Sequence, residues 1–140
     1  MDDFAIAKQT RDTMYERDAA IKLLGISVEV TGVGSVEAGF EVRSEMLNGF
    51  GLCHGGYLFT LADTAFAYAC NSCNQITLAA GASIEFVRAA KLGDQIVAIA
   101  TERYRGRKTG FYDVVLSNQD GEEVALFRGR SHSTHDTLFP

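Results

Sequence analysis

Asp63 is the one charged residue in the run from Tyr57 to Cys70, which is otherwise made of Leu, Phe, Ala, Tyr and two threonines. A carboxylate set among apolar side chains is costly to bury unless it is paired, hydrogen-bonded or neutralised. Burial raises its pKa, and carboxylates perturbed in this way cluster at functional sites. The chemistry open to such a group is that of a general base or a nucleophile. The plain alternative is an aspartate that caps a neighbouring element or faces solvent at a gap in the packing.

Directly before this run stands Cys53-His54-Gly55-Gly56. Glycines allow a ligand to approach the backbone closely. The free N–H groups and positive dipole end of a helix starting there favour a developing negative charge. That is the arrangement of an oxyanion hole, although a simple turn before a helix uses the same residues. His54 either donates to a substrate or orients the loop. Asn48, in the irregular stretch Met46 to Gly56, either binds a substrate oxygen or water, or forms a turn. Asp63 follows Gly55 by eight residues, about 12 Å along one helix. One subunit cannot bring both to a single carbonyl. If both act, the site joins Gly55 of one subunit to Asp63 of another, and the protein is an obligate oligomer.

Other reactive groups carry less. Arg103, Arg105, Arg107 and Lys108 crowd one turn and Arg88 ends a strand-like run; each is a candidate for phosphate contacts or a solvated surface. Cys70-Asn71-Ser72-Cys73 is a CxxC, but it closes an apolar helix and lacks a second CxxC; His132 and His135 would have to complete a zinc site. An odd count of three cysteines suggests free thiols. No metal and no cofactor is expected.

The positioning elements follow from periodicity. Residues 2–24 read as a helix stopped by Gly25. Ile26 to Val30 and Val36 to Arg43 read as strands around a turn at Gly32 and Gly34. Gly56 to Ser72 is a helix apolar almost all round, hence buried. Four strand-like runs follow, 79–88, 95–105, 109–118 and 123–132, with turn signals at 91–94, 105–108 and 118–121. Short connections predict antiparallel hairpins, and the four runs a meander. The chain of 140 residues suits a single domain over 1–140. The expected class is α+β, a sheet curled around one long helix whose remaining exposure a second copy covers. The net charge of −5 argues against a nucleic-acid partner. No apolar run reaches the roughly 20 residues of a membrane span. The acidic start Met1-Asp2-Asp3 is unlike a secretory or mitochondrial leader, so the expected location is the cytoplasm.

Leu47-Asn48-Gly49, Cys53-His54-Gly55-Gly56 and Leu58 to Ser72 together resemble the hotdog-fold thioesterases, and within them the phenylacetic-acid-degradation (PaaI) family. The likeness continues through Ile84-Glu85-Phe86-Val87-Arg88, Gly93-Asp94, Thr109-Gly110, Tyr112-Asp113 and Val124 to Gly129. It departs at Ala89, where the family usually has proline. The resemblance implies a hotdog fold, a curved antiparallel sheet wrapped around one central helix, with dimers paired into tetramers. It implies hydrolysis of acyl-CoA thioesters, with coenzyme A as part of the substrate. It matches Asp63 to the catalytic carboxylate, Gly55 to the donor to the thioester carbonyl, and Asn48 to an active-site amide, with His54 in the same motif. Tyr57, Thr64, Ser83 and Arg88 become candidates for substrate contact. An aryl acyl group is compatible with Phe50, Tyr57, Phe59 and Tyr68, which are equally ordinary core filling. Two other readings stand: a hydratase or dehydratase of acyl thioesters, whose motif needs a proline-bearing loop that this chain, with Pro140 alone, lacks; and a non-catalytic acyl-CoA-binding module in which Asp63 is dispensable.

Overall fold

The computed structural model describes residues 1–140. The helix expected over 2–24 is two helices, α1 (Asp3–Arg17) and α2 (Ala19–Leu24). Asp18 makes the break. Its backbone is extended, its carboxylate accepts from the Ile21 N–H at 3.2 Å, and its own N–H donates to the Tyr15 carbonyl. An aspartate satisfies a helix start better than it fills a helix interior. Gly25 then ends α2 in the left-handed conformation at φ 67°.

Strands β1 (Ser27–Gly32) and β2 (Ser35–Glu41) precede the long helix α3 (Gly55–Cys70). Strands β3 (Thr77–Phe86), β4 (Gln95–Arg105), β5 (Thr109–Ser117) and β6 (Glu123–Ser133) follow it. All six form one antiparallel sheet in the order β1-β2-β4-β5-β6-β3. The turns at 105–108 and 118–121 are hairpins as expected. The turn at 91–94 is not, and the four-strand meander is corrected to three strands: β3 leaves β4 and pairs with β6. The backbone between them is taken up elsewhere. The Val87 and Arg88 N–H groups both donate to Val124 O, Cys53 N–H donates to Ala90 O, and Val42 exchanges hydrogen bonds with Gly93 and Asp94. Residues 87–94 thus carry the chain past the start of α3 to the β2 side of the sheet.

The sheet wraps α3. Strands β2, β4 and β5 alternate inward and outward residues, and Val36, Ala38, Ile96, Ala98, Val114 and Leu116 meet Leu61, Ala62, Ala65 and Phe66 of the helix in one core. Each buried Leu or Phe contributes about 1.5–3 kcal/mol, so packing more than propensity holds α3 in place. Gly129 on β6 makes room for that packing, because a Cβ there would lie 2.7 Å from the Phe66 ring. The helix is not buried all round. Gly56, Thr60, Asp63, Thr64 and Ala67 form a partly open stripe at helical spacing. No helix is long and apolar enough to cross a membrane.

Candidate active site

The helix α3 starts where it does because His54 caps it. Its Nδ1 accepts from the Gly56 N–H at 2.9 Å and its carbonyl accepts from the Tyr57 N–H at 3.0 Å. An imidazole that accepts at Nδ1 carries its proton on Nε2, a tautomer assigned from this bond. The loop is pinned by the His54 N–H donating to Met46 O at 2.8 Å. His54 therefore orients the turn. The Gly55 N–H donates to no group of the chain and borders a cleft of about 480 Å³.

Asn48 lines the same cleft. Its Oδ1 accepts from the Phe50 and Leu52 N–H groups at 2.9 and 3.2 Å, which closes the loop 48–52. The turn-forming role is thus filled by the oxygen, and Nδ2 is the atom left to donate to a ligand. Arg88 reaches the cleft rim, where Nη1 pairs with Glu122 at 3.3 Å. Cys53 also lines the cleft, but burial and then Asp94 push its thiol up to about 11, which makes it a poor nucleophile.

Asp63 lies two turns further along α3 and is not among the residues lining this cleft. It is half-buried on the open stripe, and burial alone pushes its carboxyl above the ordinary range. Beside it, the Thr64 hydroxyl donates to Thr60 O at 2.7 Å and the Thr60 hydroxyl to Gly56 O at 2.9 Å. Those protons are spent inside the helix, so toward a ligand either hydroxyl is an acceptor. Tyr57 is half-buried and meets His54 edge-on at 6.3 Å.

The fold thus gathers Gly55, Asn48 and Arg88, with His54 at the helix start, and separates Asp63 and Thr64 from them along the helix. Ser83 is apart from both groups. It is exposed on β3 opposite Arg128, on the face of the sheet turned away from α3. Among the aromatic candidates, Tyr68 is buried with its hydroxyl donating to Asp18 Oδ2 at 3.1 Å, Phe59 packs edge-on against Phe127 at 5.4 Å, and Phe50 is exposed at the loop tip. The aromatic whose ring tip lies against Gly55 is Phe86, which the sequence analysis quoted only within a motif. Its signal was an aromatic two residues before Arg88 at the end of a strand.

The remaining reactive groups are mostly engaged. Arg103 pairs with Asp113 and Arg105 with Glu102, each at 3.6 Å, and Arg105 also contacts the Cys73 thiol. Arg107 and Lys108 stay exposed at the hairpin tip. Burial pushes the Cys70 thiol up to about 12, and all three cysteines are free. No group of three His, Cys, Asp or Glu residues is arranged to hold an ion.

The family described as Thioesterase superfamily matches residues 50–125, which hold Gly55 and Asp63. Acyl-coenzyme A thioesterase PaaI of Escherichia coli (strain K12) is 46% identical over 132 residues, covering 94% of this chain and 94% of that protein. The structure of the E. coli PaaI protein from the phenylacetic acid degradation operon matches with a TM-score of 0.94 and 45% identity, covering 96% of this chain and 97% of that one. A Streptococcus mutans UA159 protein solved bound to acetyl-CoA matches with a TM-score of 0.76 and 29% identity over 80% of this chain and 90% of its own. The chain belongs to the thioesterase superfamily and is a hotdog-fold thioesterase of the PaaI family.

Proposed function

We propose that this protein hydrolyses aryl acyl-CoA thioesters, phenylacetyl-CoA or a hydroxylated or ring-modified phenylacetyl-CoA, to the free acid and coenzyme A in phenylacetate catabolism. The relative named acyl-coenzyme A thioesterase PaaI and the operon of its solved structure support that substrate class. The observation that carries the reading is the split along α3. An unspent amide at Gly55 opens on the cleft, and a half-buried carboxyl at Asp63 stands on the helix face that the chain's own sheet leaves open.

A second copy that brings its Asp63 to the Gly55 cleft completes the site. The ten-residue edge strand β3 supports such a copy, since only one of its sides is paired within the chain. Ile99, Val115 and Leu126 are exposed in adjacent register on the outer sheet face, which suits pairing of two dimers. The thioester carbonyl then accepts from the Gly55 N–H, with Asn48 Nδ2 beside it. Asp63 of the second copy takes a proton from water as hydroxide adds to the carbonyl carbon, or its carboxylate adds directly and forms a mixed anhydride that water cleaves. In both routes the negative charge grows on the carbonyl oxygen at the helix start. The C–S bond breaks as the tetrahedral adduct collapses, to the free acid in the first route and to the anhydride, which water cleaves afterwards, in the second; the coenzyme A thiolate leaves and is protonated. The reading assigns no metal or cofactor, no nucleic-acid or membrane partner, and a cytoplasmic location where acyl-CoA is found.

The test is steady-state hydrolysis of phenylacetyl-CoA, a hydroxylated phenylacetyl-CoA, acetyl-CoA and a long-chain acyl-CoA by wild type, Asp63→Asn, Asn48→Ala and a refolded equimolar mixture of the two variants. Wild type is expected to prefer the aryl substrates. Asp63→Asn is expected to lose about 10³-fold or more in kcat as a folded oligomer, as removal of a group used in nucleophilic or base catalysis does. The mixture should recover about a quarter of wild-type activity, because half of random dimers are mixed and each holds one intact site. Recovery absent from a mixture shown to exchange subunits would place the site within one chain. Equal turnover by Asp63→Asn would remove the carboxylate from the chemistry.

A further inference from the structure

At Gly55 the ring tip of Phe86 stands where a side chain would begin. The Gly55 φ is not left-handed, so conformational freedom does not require a glycine. A Cβ at this position would lie 2.9 Å from Phe86 Cζ and 3.2 Å from Cε1. The tip of the Phe86 ring therefore occupies the space beside the Gly55 Cα. The N–H branches from the same residue, so the ring flanks a donor that has no partner in the chain. Gly55 and Phe86 line the same cleft, with Leu58 and Val87. Phe86 is the last residue of β3 and is 53% exposed in the single chain.

We infer that Phe86 is the specificity-determining wall of this site: it admits thioesters with an unbranched α-carbon and rejects those with a substituent there. The inference rests on the thioesterase reading. A carbonyl oxygen that accepts from the Gly55 N–H sits about 2.9 Å from the nitrogen. The carbonyl carbon follows it into the cleft, with sulfur on one side and the α-carbon on the other. The Phe86 ring bounds the space these groups enter. A CH₂ lies against the ring in van der Waals contact, whereas an added methyl has to push the ring off Gly55 or tilt the carbonyl away from its donor. Both responses weaken the hydrogen bond that grows in the transition state, so the discrimination appears in kcat/KM. Arylacetyl and straight-chain acyl groups pass this filter; 2-methyl and 2-aryl-propionyl groups do not.

The experiment compares kcat/KM for phenylacetyl-CoA and 2-phenylpropionyl-CoA, which differ by one methyl on the α-carbon, in wild type, Phe86→Leu and Phe86→Ala. Wild type should favour phenylacetyl-CoA by about tenfold or more, the scale of one misfitted methyl. The ratio should shrink in Phe86→Leu and approach parity in Phe86→Ala. A purely structural role for Phe86 lowers both substrates alike and leaves the ratio unmoved. A second measurement needs no catalysis: Gly55→Ala should lower the melting temperature in the presence of Phe86 and leave it nearly unchanged in the Phe86→Ala background. An unchanged ratio alongside phenylacetyl-CoA turnover overturns the inference alone, as does a Gly55→Ala penalty equal in both backgrounds. Absence of wild-type turnover on every acyl-CoA overturns the thioesterase reading and the inference with it.

Discussion

The two ends of α3 use their polar groups in opposite ways. At the C-terminal end the polar side chains are paired. Asn71 donates from Nδ2 to Ala67 O at 2.8 Å and Thr77 O at 2.9 Å, and its Oδ1 accepts from the Thr77 N–H at 2.8 Å. The Ser72 hydroxyl donates to Ala69 O and accepts from the Gly34 N–H, both at 2.8 Å. At the N-terminal end, His54 satisfies Gly56 and Tyr57, while Gly55 keeps a free N–H and Asn48 a free amide nitrogen. The first N–H groups of any helix lack partners within it, and the unspent donors at this end are the ones the proposed site gives to the thioester carbonyl. One end clamps the sheet to the helix, and the other is the end the proposed site uses.

Changes at each end should sort accordingly. Asn71→Ala leaves the Thr77 N–H and carbonyl without partners in a buried site, and should cost about 2–4 kcal/mol in urea unfolding. Turnover per folded molecule should stay near wild type; a selective loss of kcat would erase the contrast between the two ends. His54→Ala removes only a cap, worth about 1 kcal/mol. Its kcat should nevertheless fall more than its KM rises, because the first turn that presents the Gly55 donor loosens. A loss confined to stability would show that the turn holds its shape without the imidazole.

The smallest effect concerns the charge midway along the helix. Burial raises the Asp63 carboxyl, so the ionised form is disfavoured in the folded chain. The sign follows: the added stability is present below the unfolded pKa and is lost as pH rises through the folded one. Asp63→Asn should therefore be slightly more stable than wild type at neutral pH. Activity should show an acid limb centred above the ordinary aspartate value of about 3.9, and the limb should be absent from the residual activity of Asp63→Asn. A limb at the ordinary value would indicate a solvated carboxylate.

The long helix, its glycine start and its single charge were readable because each is a local departure from pattern: an acid in an apolar run, glycines where a helix begins. What escaped the sequence was decided at a distance. The Asp18 break carries no Gly or Pro signal and depends on a cap and on the Tyr68 hydroxyl fifty residues away. The turn at 91–94 has the residues of a hairpin, yet β3 pairs with β6 because residues 87–94 bond to Val124, Cys53 and Val42. Asn48 was read both as a turn former and as a site amide; its Oδ1 takes the first role and its Nδ2 has no partner in the chain. Phe86 was quoted only within a family motif, since nothing in its neighbours reveals that its ring ends on Gly55.

The pairing of β3 with β6 also sets an order of assembly. Thr77–Phe86 has no neighbour in the sheet until Glu123–Ser133 exists, and residues 87–122 lie between them. At about 5–20 residues per second on the ribosome, β3 waits some seconds with both edges bare. The nascent chain is therefore most exposed to mispairing just before its last strand emerges, and loss of the final strand would leave β3 open on both sides in a chain that still carries Gly55 and Asp63.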